Sequence, residues 1–319
     1  MIQFSHEKWH TMLIDQFRSF YFKNFPQDME TQIEYFAVFG GVSWDVDTHI
    51  DLSSLIQTLI LENYETLQFK IDQLTFFDTK NQRLLAALAV GDRRMFSAFN
   101  RAGLNNKNGG IALNFLQEKG LIQLEYSREE KAERPAHEKR TREEARRRIS
   151  HKVLFTYPFV RFWFYFIHPH RREIKEKNYE GVLKRFEQRR HSYTSLIFEE
   201  LSEILLNYHI RDTQIESSGS YWDAKIEIDI LTTTENGTLY VGECKWTNHK
   251  VSKNELNKLY EKCQKLDIKP DQILFFAKRG FSKELEQLEG KSIALYTAED
   301  FEILLKSTSR DEAKEKFVF

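Results

Sequence analysis

The chain has 319 residues, of which 41% are hydrophobic and 30% charged, so it can bury a sizeable core and is not intrinsically disordered. Its 13 glycines, 5 prolines and 2 cysteines exclude collagen-like, low-complexity and disulfide-framework proteins. No basic stretch followed by an apolar run opens the sequence, and the longest aromatic run, residues 159–167, is too short for a bilayer span. We therefore expect a cytoplasmic protein without a membrane partner.

Charge is unevenly distributed, although the net charge is only −1. Residues 127–190 carry 19 basic and 10 acidic side chains, a net charge of +9, whereas the segments on either side are both net acidic. A basic segment of this kind is either a solvated linker or a surface for a polyanion such as nucleic acid. DNA is the partner that we expect.

The first half of the chain predicts helices. Residues 1–80 form a helical N-terminal region, because apolar side chains recur at helical spacing. Residues 81–157 predict a winged-helix domain, which begins with three short helices at 82–89, 93–102 and 111–119.

The wing of this domain is expected to be a strand at 121–126 and a return strand at 152–157, separated by a charged insertion, 127–150. Lys107 precedes the third helix and can contact a phosphate. That helix is mostly apolar, however, which is poor for reading bases in the major groove. The winged helix is therefore expected to contact either DNA or a protein partner.

The second half of the chain predicts a mixed sheet. A connector at 158–192 begins with an aromatic segment, which we interpret as packing between domains because large rings are usually buried. Residues 193–319 then alternate between helical and strand patterns, which is typical of an α/β arrangement. The predicted elements are a helix at 194–208, strands at 226–231 and 239–244, a helix at 252–266, a strand at 273–277, a helix after 282, a strand at 293–296 and a helix at 299–305.

Two of these strands carry charged side chains on one face. Alternate side chains of a strand share a face, so Glu243 and Lys245 point one way and Cys244 points the other. Glu227 and Asp229 share a face of the preceding strand by the same rule. The pattern indicates a half-buried sheet with a polar site.

The turn between the two strands decides whether their polar faces meet. A two-residue turn would place Asp229 and Glu243 on opposite faces, whereas a three-residue loop at 235–237, with Gly237 left-handed, places them directly opposite each other. We prefer the three-residue loop, because it keeps the isoleucines at 226, 228 and 230 on the buried side together with Cys244.

Directly opposed residues have Cβ atoms about 5 Å apart, so their carboxylates repel, and a bound divalent cation removes that penalty. Oxygen ligands suit Mg²⁺ or Mn²⁺, and such an ion activates water against a phosphodiester. Lys245 can orient the water or stabilise the pentacovalent phosphate, and Glu199 on the preceding helix can supply a third carboxylate. The alternative is a structural ion pair between Glu227 and Lys245.

The arrangement of Glu199, Asp229 and Glu243 with Lys245 resembles the PD-(D/E)XK nuclease superfamily. More closely, residues 81–305 resemble the C-terminal region of archaeal-type DEXX-box ATPases, a family of uncertain function. The features that carry the resemblance are Pro158 and Phe159, Arg161 to Phe164, Phe198 and Glu199, Glu227 to Asp229, Gly242 to Trp246, and Lys278 to Phe281.

This resemblance implies an α+β fold in which the winged helix precedes a restriction-endonuclease-like mixed-sheet domain. It assigns metal binding to Glu199, Asp229 and Glu243, and catalysis to Asp229, Glu243 and Lys245. Two departures are clear: Ile228 stands where the superfamily motif has proline, and the chain lacks the GxxxxGK[ST] motif of an ATPase module.

These observations predict a metal-dependent DNA nuclease whose substrate is positioned by the winged helix and the basic segment. The alternative function is a catalytically idle DNA-binding or protein-docking module that partners an ATPase.

Replacing Arg146, Arg147 and Arg148 by alanine should weaken duplex DNA binding equally for all sequences, because arginines that contact phosphates carry no base information. Wild-type affinity should also fall steeply as salt is added. Fluorescence anisotropy over a salt series measures both effects. Affinity that is indifferent to salt and to the triple substitution would identify the basic segment as a linker.

Overall fold

The computed structural model describes residues 2–129, 150–306 and 318, with side chains from Trp9 onward. Over these ranges the protein has an α+β fold in which a helical N-terminal region precedes a mixed β-sheet, as the sequence predicts. Most of the charged insertion, including Arg146, Arg147 and Arg148, lies outside the described residues.

The N-terminal region consists of helices joined by short loops and one longer irregular segment, residues 40–51. Asp28 begins its second helix by accepting the N–H of Thr31 at 2.6 Å, the usual way in which an aspartate satisfies a free amide at a helix start. Almost every side chain of that helix is buried, so it forms the centre of the region. The described helices are α1 (Ile2–Asn24), α2 (Met29–Phe39), α3 (Leu52–Leu55), which continues as a π-helical segment (Ile56–Leu61), and α4 (Tyr64–Leu74).

The region predicted as a winged helix contains three helices and a two-stranded ladder, with helix ends that differ from the predicted ones by one to five residues. Asn105 begins its third helix by accepting the N–H of Asn108 at 2.9 Å. The two strands of the wing are antiparallel, with Ile122 opposite Phe155. The elements are α5 (Thr79–Val90), α6 (Met95–Arg101), α7 (Asn106–Glu118), β1 (Ile122–Glu125) and β2 (Lys152–Phe155).

The aromatic segment is a buried helix, and most of its rings pack in the interior. The guanidinium of the buried Arg161 stacks on the ring of Tyr193 and donates to the Tyr193 carbonyl oxygen at 3.1 Å, which accounts for an arginine in an apolar core. The elements are α8 (Pro158–Phe162), a π-helical segment (Trp163–Ile167), a 3₁₀ turn (His168–His170), α9 (Arg171–Lys175) and α10 (Glu180–His209).

The sheet has five strands in the order β3-β6-β7-β8-β9. The first three strands run antiparallel, and β7, β8 and β9 run parallel. A separate two-stranded hairpin, β4–β5, precedes β6 in the chain. The elements are β3 (Ile215–Ser217), β4 (Tyr221–Trp222), β5 (Glu227–Ile228), β6 (Ile230–Thr234), β7 (Leu239–Lys245), α11 (Lys253–Lys265), β8 (Gln272–Ala277), α12 (Lys283–Glu286), β9 (Ile293–Thr297) and a 3₁₀ helix (Ala298–Leu305).

The predicted register of β6 and β7 is confirmed for residues 230–233, but the ladder does not extend to Asp229 or Glu227. Ile230 lies opposite Gly242 and Thr233 opposite Leu239, which requires the three-residue loop, and Gly237 in that loop has a φ of +84°. In the left-handed region a glycine is favoured because it has no Cβ to clash.

The prediction that the isoleucines at 226, 228 and 230 share a buried face is wrong. Ile230 and Cys244 pack on the face of the sheet that meets the helical region, whereas Ile228 belongs to a second cluster beneath α11. The chain bends at Asp229, and β5 pairs with β4 instead of β7, so the alternation of faces is interrupted at that residue.

The helical region and the sheet share one hydrophobic core. That core runs from Trp9 in α1 through the winged helix and α10 to Leu305, and it covers one face of the sheet. The second, smaller core covers the other face under α11. None of the helices in the described part of the chain combines the length and apolar character needed to cross a membrane.

The wing packs against the β4–β5 hairpin. The buried carboxylate of Glu125 accepts hydrogen bonds from the backbone N–H and the hydroxyl of Ser220, at 2.8 and 2.7 Å. The Lys152 ammonium lies over the ring of Trp222 and is bonded to Glu227. These contacts join the winged helix to the part of the sheet domain where Asp229 lies.

Phe198→Ala should destabilise the protein by about 3–5 kcal/mol, because the fully buried ring packs against Trp246 and Phe301 and its removal leaves a cavity. Denaturant unfolding measures the change. Phe69→Ala is the matched control, since that ring is 56% exposed and should contribute little. Equal losses for both substitutions would contradict the proposed packing.

Candidate active site

The candidate site lies where β6 separates from β7. The first ladder pair of these strands is Ile230 and Gly242, and the chain bends one residue earlier, at Asp229. Here the Asp229 carboxylate oxygen Oδ2 accepts the backbone N–H of Cys244 at 2.8 Å. A side chain thus replaces the backbone carbonyl that a continued strand would offer to this amide. The carboxylate is consequently held against the strand that carries Glu243 and Lys245.

Asp229 is the carboxylate that both other predicted acidic residues influence. Burial raises its pKa well above the usual range, and the nearby carboxylates of Glu199 and Glu243 raise it further, against the lowering effects of the Cys244 hydrogen bond and Lys245. Glu199, Glu243 and Lys245 therefore all lie in the electrostatic neighbourhood of Asp229.

Glu199 reaches this neighbourhood from α10. The preceding side chain, Phe198, packs under the end of β7 against Trp246, which fixes the rotation of the helix at this point. Glu199 and Asp229 line the same cleft. Burial raises the pKa of Glu199 to about 7, although Arg93 and Lys152 lower it in part.

Glu243 is held by two lysines. Its oxygen Oε1 accepts from the Lys245 ammonium at 2.7 Å, and Oε2 accepts from the Lys262 ammonium at 2.7 Å. Burial alone would lower the pKa of Lys245, but the adjoining Glu243 carboxylate outweighs it and raises that pKa. Lys245 is therefore cationic at neutral pH.

Sequence reasoning missed Lys262. The helix α11 connects two parallel strands and lies over the face of the sheet to which Glu243 points, with Leu259 and Cys263 in its buried stripe. Lys262 flanks that stripe on the same helix. The amphipathic pattern of α11 could have indicated which lysine faces the sheet.

The alternative pairing of Glu227 with Lys245 is wrong. Glu227 lies in the β4–β5 hairpin and bonds to Lys152 of the wing. Burial alone would raise the pKa of Glu227, but the Lys152 ammonium outweighs it and lowers that pKa. Lys245 is thus available to Glu243 and Asp229.

The cleft contains more carboxylates than the sequence pattern predicts. Glu200 and Glu203 follow Glu199 along α10, and Glu125 enters from the wing. The pKa of Glu200 is raised to about 7 by burial, with Arg93 and Arg161 acting in the opposite direction. In the sequence, Glu199 and Glu200 are adjacent and Glu203 follows one helical turn later, a pattern that could have indicated this acidic cluster.

The donor chemistry of the site suits a hard divalent cation, since its predicted ligands are carboxylates whose mutual repulsion such an ion would relieve. In residues 2–129, 150–306 and 318, however, no three His, Cys, Asp or Glu side chains are grouped so as to hold a metal ion. Both oxygens of Glu243 are bonded to ammonium groups instead. Metal binding would therefore require Glu243 to exchange a lysine for the ion.

Of the four predicted DNA-binding residues, the structure describes Lys107 alone. Lys107 is exposed in the first turn of α7, at the surface of the winged helix. Arg146, Arg147 and Arg148 lie outside the described residues, so the structure does not place them.

Comparison with known proteins finds one partial similarity. Residues 163–259 match the model of the DUF234 family, which is described as archaeal and bacterial proteins of unknown function. The match is shorter than half of the chain, and it contains Glu199, Asp229, Glu243 and Lys245. No curated protein and no solved structure shows significant similarity to the chain.

Glu200→Gln should flatten the dependence of stability on pH. The folded state raises the pKa of Glu200 from 4.5 to about 7, so its stabilising contribution is complete below about pH 4.5 and is lost as pH rises through about 7. Glutamine cannot ionise, so the variant should be more stable than wild type at about pH 8, by at most roughly 3 kcal/mol, and similar at about pH 5.

Urea unfolding at several pH values measures this difference, with Glu235→Gln, at an exposed loop position, as the control. Parallel stability curves for wild type and Glu200→Gln would show that Glu200 ionises normally in the folded protein.

Proposed function

We propose that the protein is a metal-dependent nuclease that hydrolyses phosphodiester bonds of DNA in the cytoplasm, with Asp229, Glu243 and Lys245 as its catalytic residues. The observation that carries this proposal is the hydrogen bond of 2.8 Å from the Cys244 amide to Asp229, which holds that carboxylate beside the Glu243–Lys245 strand. The pairing of β6 with β7, the bend at Asp229 and the packing of α10 all involve residues of the PD-(D/E)XK pattern. This supports the proposed chemistry over a chance match of Glu243, Cys244 and Lys245 to the motif.

Glu199, Asp229 and Glu243 are the residues that would hold Mg²⁺ or Mn²⁺. Bound there, such an ion would neutralise charge on the phosphodiester and lower the pKa of the attacking water. The raised pKa values of Asp229 and Glu199 support this assignment, because carboxylates crowded without a counter-ion are stabilised when a cation binds.

Lys245 contributes a fixed positive charge. Because Glu243 raises its pKa, Lys245 stays protonated and does not act as a general base at neutral pH. It is suited to orient the water or to stabilise the negative charge that develops on the phosphate. Lys262 bonds the other oxygen of Glu243 and keeps that carboxylate in place when Lys245 turns to the substrate.

The winged helix and the basic segment would position DNA. The strands of the wing already contact the β4–β5 hairpin, so α7, with Lys107 in its first turn, is the surface left for this role. Arg146, Arg147 and Arg148 would add contacts to phosphates.

The alternative is a catalytically idle DNA-binding or docking module that partners an ATPase, and one observation favours it. Ile111, in the middle of α7, is 60% exposed. An exposed isoleucine on the helix that would enter the major groove suits a protein contact better than phosphates.

Lys245→Ala should slow cleavage of plasmid DNA in Mg²⁺ about 100-fold, because removing one charge from the transition state commonly costs about 3 kcal/mol. Metal affinity should be kept or increased, because Glu243 loses an ammonium group that competes with the ion. Asp229→Asn keeps an acceptor for the Cys244 amide and removes the charge, so it should abolish both metal binding and cleavage.

Cleavage rates, calorimetric metal titration and DNA affinity should be measured for both variants, with Lys258→Ala, an exposed lysine of α11, as the control. EDTA should stop cleavage by wild-type protein. Wild-type protein that binds DNA and never cuts it in Mg²⁺ or Mn²⁺ would support the docking module instead.

A further inference from the structure

The turn between α5 and α6 has a strained backbone. Arg93 has a φ of +61°, a left-handed conformation that is uncommon for residues other than glycine. The Arg93 carbonyl accepts the N–H of Val153 in β2 at 3.0 Å, and the next residue, Arg94, donates to the Asp223 carbonyl at 3.1 Å. The wing and the β4–β5 hairpin thus hold the turn in this conformation. Strain that the surroundings maintain in this way is concentrated at functional sites.

The strained turn directs a guanidinium into the acidic cleft. Arg93 lines that cleft together with Glu199 and Asp229, and its side chain is only 13% exposed. Its Nη1 lies 3.8 Å from Glu200 Oε1, a distance suited to charge attraction but too long for a hydrogen bond. Within the part of the chain that the structure describes, this buried nitrogen has no hydrogen-bond partner. Buried donors are usually paired, so a ligand that binds here would supply the hydrogen-bond acceptor that Nη1 lacks.

Phosphate oxygens match this donor. A guanidinium presents paired N–H groups that bind two phosphate oxygens at once, and a buried arginine keeps its charge. We propose that Arg93 binds a non-bridging oxygen of the phosphodiester in the cleft, so that the winged helix supplies a substrate-binding cation to the carboxylate site of the sheet domain. This inference rests on the proposed nuclease function and adds a catalytic residue from outside the PD-(D/E)XK pattern.

A purely structural role makes a different prediction. If Arg93 only neutralises Glu199 and Glu200, its loss would keep protons on these carboxylates and weaken metal binding. That defect would disappear at alkaline pH and at high metal concentration, because both restore the ionised, metal-bound carboxylates. Loss of a phosphate contact persists under both conditions.

The experiment compares Arg93→Gln, Arg93→Lys and Arg93→Gly with wild type. The control is Arg211→Gln, which removes an exposed arginine after α10. The glycine variant relieves the positive φ, so it should fold even if the others are unstable, and melting temperatures near pH 6 check this. We expect kcat in saturating Mg²⁺ to fall about 100-fold in the Gln and Gly variants at every pH up to about 9. Lysine should restore only part of the rate, because it lacks the paired donors.

A binding measurement separates this inference from the nuclease proposal. In the Lys245→Ala background, Arg93→Gln should weaken the affinity for a short duplex oligonucleotide in Mg²⁺ about tenfold. Unchanged cleavage and unchanged affinity in Arg93→Gln, or a cleavage defect that alkaline pH removes, would overturn the role of Arg93 and leave the nuclease intact. A wild-type protein that never cuts, combined with the tenfold loss of affinity, would overturn the nuclease and retain the phosphate contact.

Discussion

The geometry of the site depends on one hydrogen bond, which the Cys244 amide donates to the Asp229 carboxylate. A β-ladder ends when one strand bends away, and the amides of the remaining strand then need other acceptors. Here the strand that leaves the sheet supplies the acceptor from its own side chain. The same bend frees the preceding residues to form the β4–β5 hairpin, and it sets a buried carboxylate beside the charged face of β7.

The hairpin that this bend releases connects the two halves of the protein. It receives Glu125 and Lys152 of the wing, and the turn that carries Arg93 is held between the wing and the hairpin. The winged helix therefore packs against the sheet as part of the surroundings of the site, and both share a core that runs from α1 to the last 3₁₀ helix.

Electrostatics explains why the cations of the site come from several elements. Burial raises the pKa values of Glu199, Glu200 and Asp229, and neighbouring carboxylates raise each of them further. Positive charge reaches them from the turn before α6 and from β2, while Lys245 and Lys262 hold Glu243 on the other side. The site is thus balanced between ionised carboxylates and nearby ammonium and guanidinium groups, a balance that binding of a divalent cation would shift.

Local patterns in the sequence determined much of the architecture. Apolar periodicity located the helices of the winged helix, and loop length together with Gly237 determined how β6 and β7 pair, because both depend on neighbours within a few residues. Asp229 lies one residue outside that ladder, so the pairing alone did not determine how Asp229 faces Glu243. Only the tertiary structure decided the bend at Asp229, which reversed the expected face of Ile228. It likewise decided that Glu227 pairs with Lys152 and that Lys262 bonds to Glu243. The partners in each pair are far apart in the sequence, and strand or helix periodicity predicts only contacts between residues that are close in the sequence.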